Sequence, residues 1–480
     1  SFIFSFLILG FFVFGRFNQF PLRWSDAFSL GSDYKANLAL NPFESFFNTL
    51  QFRKTSYNEK QLKEYYPLMA SYLGVPHPDA ESLNYTRHYE GVADSLEKRP
   101  NIIFVICESF SGYKSSMWGN PLNTTPFFDS LSRKGLFFDH CFTPTYGTAR
   151  GVWASITGIP DVEMPTTASR NPLAVDQRSI INDFKGYQKY YFIGGSPSWA
   201  NIRGLLMNNI DGLHLYEEEN MQAPKLDVWG ISDKNLFLEA DRILAQEKEP
   251  FFAVIQTADN HRPYSIPEED LKEFQPVTVP EDSLKAYGFD KLEELNAFRY
   301  TDFCFRKFFD AASKHDYHRN TLFVFVGDHG IPGDAGKMFP SAWTEQRLTA
   351  EHVPLLFYGP GWLQASRQSR VCSQVDVLPT IAGLCGIPYS NTTLGRNLAD
   401  SNGLPEAAFI FDPEYRQRGV ISQGYFYREQ ILTGKQEVVP IDPALAGTSP
   451  ATSLRDSLQQ LSRAIFETSR YWLLHNKKTK

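Results

Sequence analysis

Four short polar clusters carry the residue types that could do chemistry. They are Cys107-Glu108-Ser109-Phe110-Ser111, Asp259-Asn260-His261-Arg262-Pro263, Gly327-Asp328-His329-Gly330 and Tyr146-Gly147-Thr148-Ala149-Arg150-Gly151. Carboxylates from Glu108 and Asp328 with the His329 imidazole form a mixed oxygen and nitrogen donor set, suited to Zn²⁺ or Mn²⁺. A threonine hydroxyl is a poor nucleophile alone, but beside a divalent ion it can lose its proton near neutral pH, as metal-bound water does. A helix starting at Thr148 would also favour an anion at that point. Together Glu108, Thr148, Asp328 and His329 have one coherent use, attack on a phosphorus or sulfur centre. Singly, each has a plainer reading. Gly-Asp-His-Gly can be a turn, Thr148 an N-cap, Glu108 a solvated side chain, and Asn260-His261 a backbone-bonding pair.

Three of these clusters follow continuous apolar runs, and the fourth precedes an apolar helix. Asn101–Cys107 has the unbroken apolar character of a strand buried on both faces of a parallel sheet. Similar runs cover Tyr190–Ile193, Phe251–Gln256, Thr321–Val326 and Val353–Tyr358. Between them, helical patterns occupy Thr125–Lys134, Ala149–Thr157, Ser232–Gln246 and Leu292–Lys314. Strands alternating with helices predict an α/β fold, a doubly wound, mainly parallel sheet flanked by helices. Active sites of such sheets form beyond the carboxyl ends of the strands, where these clusters fall.

The remaining segments read differently. Residues 1–15 are almost entirely apolar and are followed by Arg16. At about 15 residues the run is shorter than the roughly 20 needed to span a bilayer, so it is expected to be the end of a transmembrane helix. Residues 16–98 form a juxtamembrane helical connector, with helices expected at Pro42–Phe52 and Tyr57–Leu73. The catalytic domain is expected over 99–400 and a small α+β C-terminal subdomain over 401–480. In the latter, Phe409–Phe411 and Gly419–Arg428 read as strands and Thr452–Leu474 as an amphipathic helix.

Composition narrows the partners. The formal net charge is −7, which argues against nucleic acid. It leaves room for a small phosphate or sulfate ester, whose charge would be met locally. The five cysteines, Cys107, Cys141, Cys304, Cys372 and Cys385, form no CxxC pair and no recognisable disulfide framework. Buried free thiols are expected.

Taken jointly, the motifs resemble the alkaline phosphatase/sulfatase superfamily, and within it the lipoteichoic acid synthase-like branch of phosphoglycerol transferases. The resemblance runs over about residues 99–400. It is carried by Asn101–Ser111, Asn123–Asp129, Gly147–Pro160, Gly194–Trp199, Asn260–Pro263, Gly327–Gly330 and Val375–Thr380. It implies that Glu108, Thr148, Asp328 and His329 are metal ligands, with Thr148 also the nucleophile. It implies that Trp199, Arg203 and His261 bind the substrate head group, although the spacing from Trp199 to Arg203 is longer than the family's usual one. A packed core indole is the alternative for Trp199. Gln374 stands where two-metal relatives place a histidine, which favours a single ion, and Asp376 is then expected to buttress the sheet. Mn²⁺ is the first expectation for that ion, with Zn²⁺ or Mg²⁺ as alternatives.

The activity implied is transfer of a phosphoglycerol-type group from a phospholipid through a phosphothreonine, at the bacterial cell membrane with the catalytic domain on the extracytoplasmic side. Thr148 cannot become the formylglycine of true sulfatases. A phosphatase or phosphodiesterase, a sulfatase-like ester hydrolase of the same superfamily, a phosphoethanolamine transferase and a non-catalytic membrane protein are the rivals.

Overall fold

The computed structural model describes residues 2–14, 56–92, 99–400 and 405–478, with Gly403 and isolated positions between 27 and 52. Helix α1, Phe2–Phe14, has 13 residues and leaves Phe2, Ile3 and Phe4 well exposed. No helix among the described residues is long and apolar enough to cross a membrane. Most of the Pro42–Phe52 segment lies outside the described residues. Helix α2, Glu59–Leu73, begins on an Asn58 cap whose side chain accepts from the Gln61 amide.

The centre is a nine-stranded mixed sheet. Its principal strands are β1 Asn101–Cys107, β2 Leu136–Phe142, β3 Gln188–Ile193, β4 Leu213–Tyr216, β5 Phe251–Gln256, β6 Thr321–Gly327, β7 His352–Tyr358 and β8 Ser366–Gln368. In space they run β8-β2-β7-β6-β1-β5-β3-β4, and Cys372–Ser373 adds a short pairing to β2. β1 lies at the middle, parallel to β5 and β6, and every side chain from Ile102 to Cys107 is buried. Burying each such Ile, Val or Phe contributes roughly 1.5–3 kcal/mol, which explains the unbroken apolar runs. β7 alone runs against the others, antiparallel to both β6 and β2. The sheet is therefore mixed. Strand β2 is easily overlooked in sequence, because Asp139 and His140 interrupt its apolar run.

Helices cover both faces. Helix α3, Pro126–Ser132, is capped by Asp302, whose carboxylate accepts from the Phe127 and Phe128 amides. Helix α4, Thr148–Thr157, is buried from Arg150 onward, and α5 spans Ile202–Asn209. Helices α6, Asp233–Leu244, and α7, Leu292–Ala312, pack on the opposite face with a dense phenylalanine cluster. The 40 phenylalanines thus serve chiefly as core. All five cysteines are free and buried.

The C-terminal part has a four-stranded antiparallel sheet, β9 Ala408–Asp412, β10 Gln417–Ser422, β11 Tyr425–Gln430 and β12 Gln436–Pro440. The expected single strand Gly419–Arg428 is in fact a hairpin, turning at Gln423 and Gly424, both with positive φ. The long helix Thr452–His475 closes this sheet and meets the start of α2. There the Asn58 amide donates to Glu467 at 3.1 Å, and Tyr57 packs edge-on against Tyr471.

Candidate functional site

Parallel strands bring their carboxyl ends to one rim, and the chemistry-bearing clusters follow from it. Glu108 leaves β1, Asp328 and His329 leave β6, and Thr257–His261 leaves β5. The turn after β2 delivers Tyr146 and Thr148 to the same place. Glu108, Tyr146, Thr148 and Thr257 line a cavity of about 520 Å³ together with Trp199, Trp229 and His261.

The donor atoms converge. Thr148 Oγ1 lies 3.2 Å from both Glu108 Oε2 and His329 Nε2. Ligand atoms of Glu108, Asp328 and His329 all lie within 4.8 Å of one another, and all three residues are buried. The His329 Nδ1–H donates to the Gly330 carbonyl at 2.6 Å, which leaves the Nε2 lone pair facing the cluster. Asp328 Oδ2 is buried with no hydrogen-bond donor, 3.6 Å from His329 Nε2. Burial and the neighbouring Glu108 carboxylate push Asp328 well above the ordinary carboxylate range. Two buried carboxylates, an imidazole acceptor and an unpartnered oxygen fit a divalent cation, because nothing else present offsets their charge.

The backbone fixes these side chains. Asp328 Oδ1 accepts from the amides of Ser109 at 2.8 Å and His329 at 2.7 Å. Ser109 Oγ donates to Glu108 Oε1 at 2.7 Å, so one residue orients both carboxylates. Ser109 does this from a left-handed conformation, φ +52°. The strain is held by Asn260, whose amide donates to the Glu108 and Ser109 carbonyls at 3.2 and 3.1 Å. Thr257 accepts from the Glu108 amide at 2.9 Å. Gln374 donates to the Gly327 and Asp328 carbonyls at 3.0 and 3.2 Å and so braces the backbone beside Asp328.

Thr148 begins α4 behind Gly147, whose φ of +106° is open to glycine and strained for other residues. Gly151, one turn on, lies against the Asp328 backbone so closely that a Cβ would collide with its carbonyl. The Arg150 guanidinium is committed to the Asp161, Glu163 and Thr166 carbonyls. It clamps the following loop.

Of the three expected substrate residues, the structure brings two to the cavity. Trp199 is half-buried and lines it. His261 lines it as well, its Nδ1–H donating to the Arg262 carbonyl at 2.8 Å. Arg203 does not reach it: its guanidinium forms a bidentate pair with Glu217, 2.5 and 2.6 Å, and it is absent from the lining. Asp376 is fully buried, pairs with Arg396 and caps Ser373, as a buttress would.

Sequence reasoning missed several residues. Trp229 packs on His261, ring centroids 4.2 Å apart, and donates to the Arg262 carbonyl at 2.7 Å. It sits at the tip of a hairpin of two short strands, Lys225–Asp227 and Gly230–Ile231, with no spacing signal linking it to the site. Tyr146 stacks edge-on over His329 at 4.7 Å. Ser109 was in view beside Glu108, but only the fold reveals its bond to Asp328.

Comparison with known proteins agrees with this architecture. The Sulfatase family model matches residues 100–387, more than half of the chain. The lipoteichoic acid synthase-like protein YvgJ of Bacillus subtilis (strain 168) is 23% identical over 355 residues, covering 69% of this chain and 54% of that protein. The lipoteichoic acid synthase of Staphylococcus saprophyticus is 25% identical over 332 residues, 64% of this chain and 49% of that one. The chain thus spans about half the length of these curated relatives. Among solved structures, the lipoteichoic acid synthase LtaP of Listeria monocytogenes superposes with a TM-score of 0.67 at 18% identity, covering 87% of this chain and 100% of that one. An alkaline phosphatase superfamily protein from Vibrio parahaemolyticus gives 0.67 at 19% identity, covering 88% and 98%. The chain belongs to the Sulfatase family.

Proposed function

We propose that this enzyme is a phosphotransferase with Thr148 as its nucleophile. It takes a phosphoglycerol-type head group from a phospholipid and passes it to an acceptor alcohol. The observation that carries this reading is the position of Thr148 Oγ1, 3.2 Å from both a carboxylate and an imidazole acceptor at the start of a helix. A divalent cation, Mn²⁺ by preference over Zn²⁺ or Mg²⁺, would be held by Glu108, Asp328, His329 and Thr148, where it would acidify the threonine hydroxyl and offset phosphoryl charge.

The chain's own residues supply the rest. Thr148 Oγ1 forms a bond to phosphorus as the bond to the diacylglycerol oxygen breaks, and that oxygen leaves with a proton. Glu108 Oε2 lies in reach to accept the threonine proton, in balance with the proton the leaving oxygen takes up. The first amides of α4, at Thr148 and Ala149, have no partner within the helix and suit phosphoryl oxygens. His261 Nε2 and the Trp199 and Trp229 rings suit the head group. The acceptor hydroxyl then repeats the displacement at phosphorus and frees Thr148.

The relatives' names support a synthase of the lipoteichoic acid type, and a threonine at this position argues against formylglycine-type sulfatase chemistry. The exposed apolar side chains of α1 support attachment of residues 1–15 to a membrane, with 16–98 as connector, 99–400 as catalytic domain and 401–480 as its closing subdomain.

The test is mass spectrometry of the protein after incubation with phosphatidylglycerol and Mn²⁺. A phosphoglycerol adduct on Thr148, absent in Thr148→Ala, supports the transferase. Release of phosphate from simple esters without an adduct moves the reading to a phosphatase. Neither adduct nor turnover with any divalent ion overturns it.

A further inference from the structure

A second cavity, also about 520 Å³, lies on the same rim between the central sheet and the C-terminal sheet. The reversed strand β7 makes it possible, because its first residue, His352, arrives at the edge where the other strands end. Trp118, Phe339, Trp343 and His352 form its aromatic wall. Ring centroids lie 4.9 Å apart for Trp118–His352, 5.0 Å for Trp343–His352 and 4.7 Å for Phe339–Trp343. Trp118 and Phe339 are only half-buried, so part of their surface faces the opening.

The charges are one-sided. Among the described residues, no lysine or arginine lines the cavity. His352 donates through Nε2 to the Asp139 carbonyl at 2.8 Å, and burial holds it neutral, its pKa pushed down to about 3. Asp139 is committed to Arg367 and His140, each at 2.7 Å. Glu406 and Asp442, on the exposed rim, have no ion-pair partner among the described residues.

Aromatic faces attract a cation through their quadrupole, and uncompensated carboxylates add to that attraction. An anion meets no lysine or arginine here, in contrast to the needs of the catalytic cavity. A neutral polyol gains nothing from the rings' charge preference. We infer that this cavity binds an alkylammonium group, either a small organic cation or the amine end of a larger molecule. The inference is independent of the reading of Thr148. It does place two ligands side by side, since β2 and the turn after it contribute His140 to this cavity and Tyr146 to Thr148 to the catalytic one.

The experiment is a tryptophan-fluorescence and calorimetric titration of the full chain with choline, at constant ionic strength, against its uncharged isostere 3,3-dimethyl-1-butanol. Saturable choline binding is expected, with the isostere at least about tenfold weaker, as a cation–π site requires. Glu406→Gln with Asp442→Asn, both at the surface, should weaken choline severalfold without changing turnover at Thr148 or Tm. Phe339→Ala should do the same through the wall. Equal affinity for choline and the isostere overturns the inference, as does no saturable binding, or choline binding unaffected by the rim double variant. The wild-type comparison decides the matter even if the wall variant fails to fold.

Discussion

Replacing Asp328 by Asn should stabilise the metal-free protein and destroy its response to metal. Asp328 Oδ1 accepts two backbone amides, which an asparagine carbonyl can keep. Oδ2 has no donor and faces a cluster that already holds Glu108. An amide NH₂ there can donate to Glu108 or to His329 Nε2, so the substitution removes a buried repulsion and satisfies an orphan atom. Leaving such a group unsatisfied costs roughly 1–3 kcal/mol. For a chain of 480 residues that is a rise of about 1–3 °C in Tm with EDTA present. With metal the order should reverse. At 100 times Kd, a bound ion stabilises the native state by about 2.7 kcal/mol, and the asparagine variant forfeits most of it. Thermal melts of both proteins in EDTA and in saturating Mn²⁺ therefore give crossing curves. An Asp328→Asn variant that melts below wild type in EDTA would falsify the claim that the carboxylate is held under strain for a cation.

Three further outcomes follow from the geometry. Gly151→Ala forces a Cβ into the Asp328 carbonyl. It should cost about 1–3 kcal/mol by overpacking and lower metal affinity, read by melting and by Mn²⁺ titration. Arg203→Ala should cost about 1–2 kcal/mol by stranding Glu217, with Glu217→Gln restoring stability. KM for a phosphodiester should stay unchanged, and a large rise in KM would return Arg203 to the substrate. At Asp139, burial alone would raise the carboxyl, but hydrogen bonds from His140 and Arg367 outweigh it and hold it down at about 2. Its folded pKa is below the unfolded value, so its contribution is present above about pH 4 and lost as pH falls toward 2. Asp139→Asn should therefore cost about 1–2 kcal/mol at pH 7 and almost nothing at pH 2, measured by chemical denaturation.

The sheet and the cluster of polar residues around Thr148 were legible because they depend on local pattern. Buried parallel strands must be apolar throughout, so Asn101–Cys107 and Thr321–Gly327 declare themselves, and the polar residues that follow each must sit at the rim. Strand β2 hid because its end is used for charged contacts at Asp139 and His140. The reversed direction of β7 could not be read, since a run buried on both faces has the same composition in either sense. The same limit explains Arg203 and Trp229. Whether an arginine reaches a ligand or a nearby glutamate depends on about an ångström of placement. A hairpin tip joins a site through tertiary packing, which leaves no periodicity.

The two halves of the catalytic cavity are built on different foundations. Glu108, Asp328 and Thr148 hang from the ends of β1, β6 and β2, locked by backbone amides and by Ser109. The opposite wall hangs on a short hairpin and on the Trp199–Asn201 turn, neither of which shares a hydrogen bond with the carboxylates. The two walls are thus separately changeable. Mutation can redraw the wall around Val228, Trp229 and Trp199, and so change what fits the cavity, while Glu108, Asp328 and Thr148 keep their geometry.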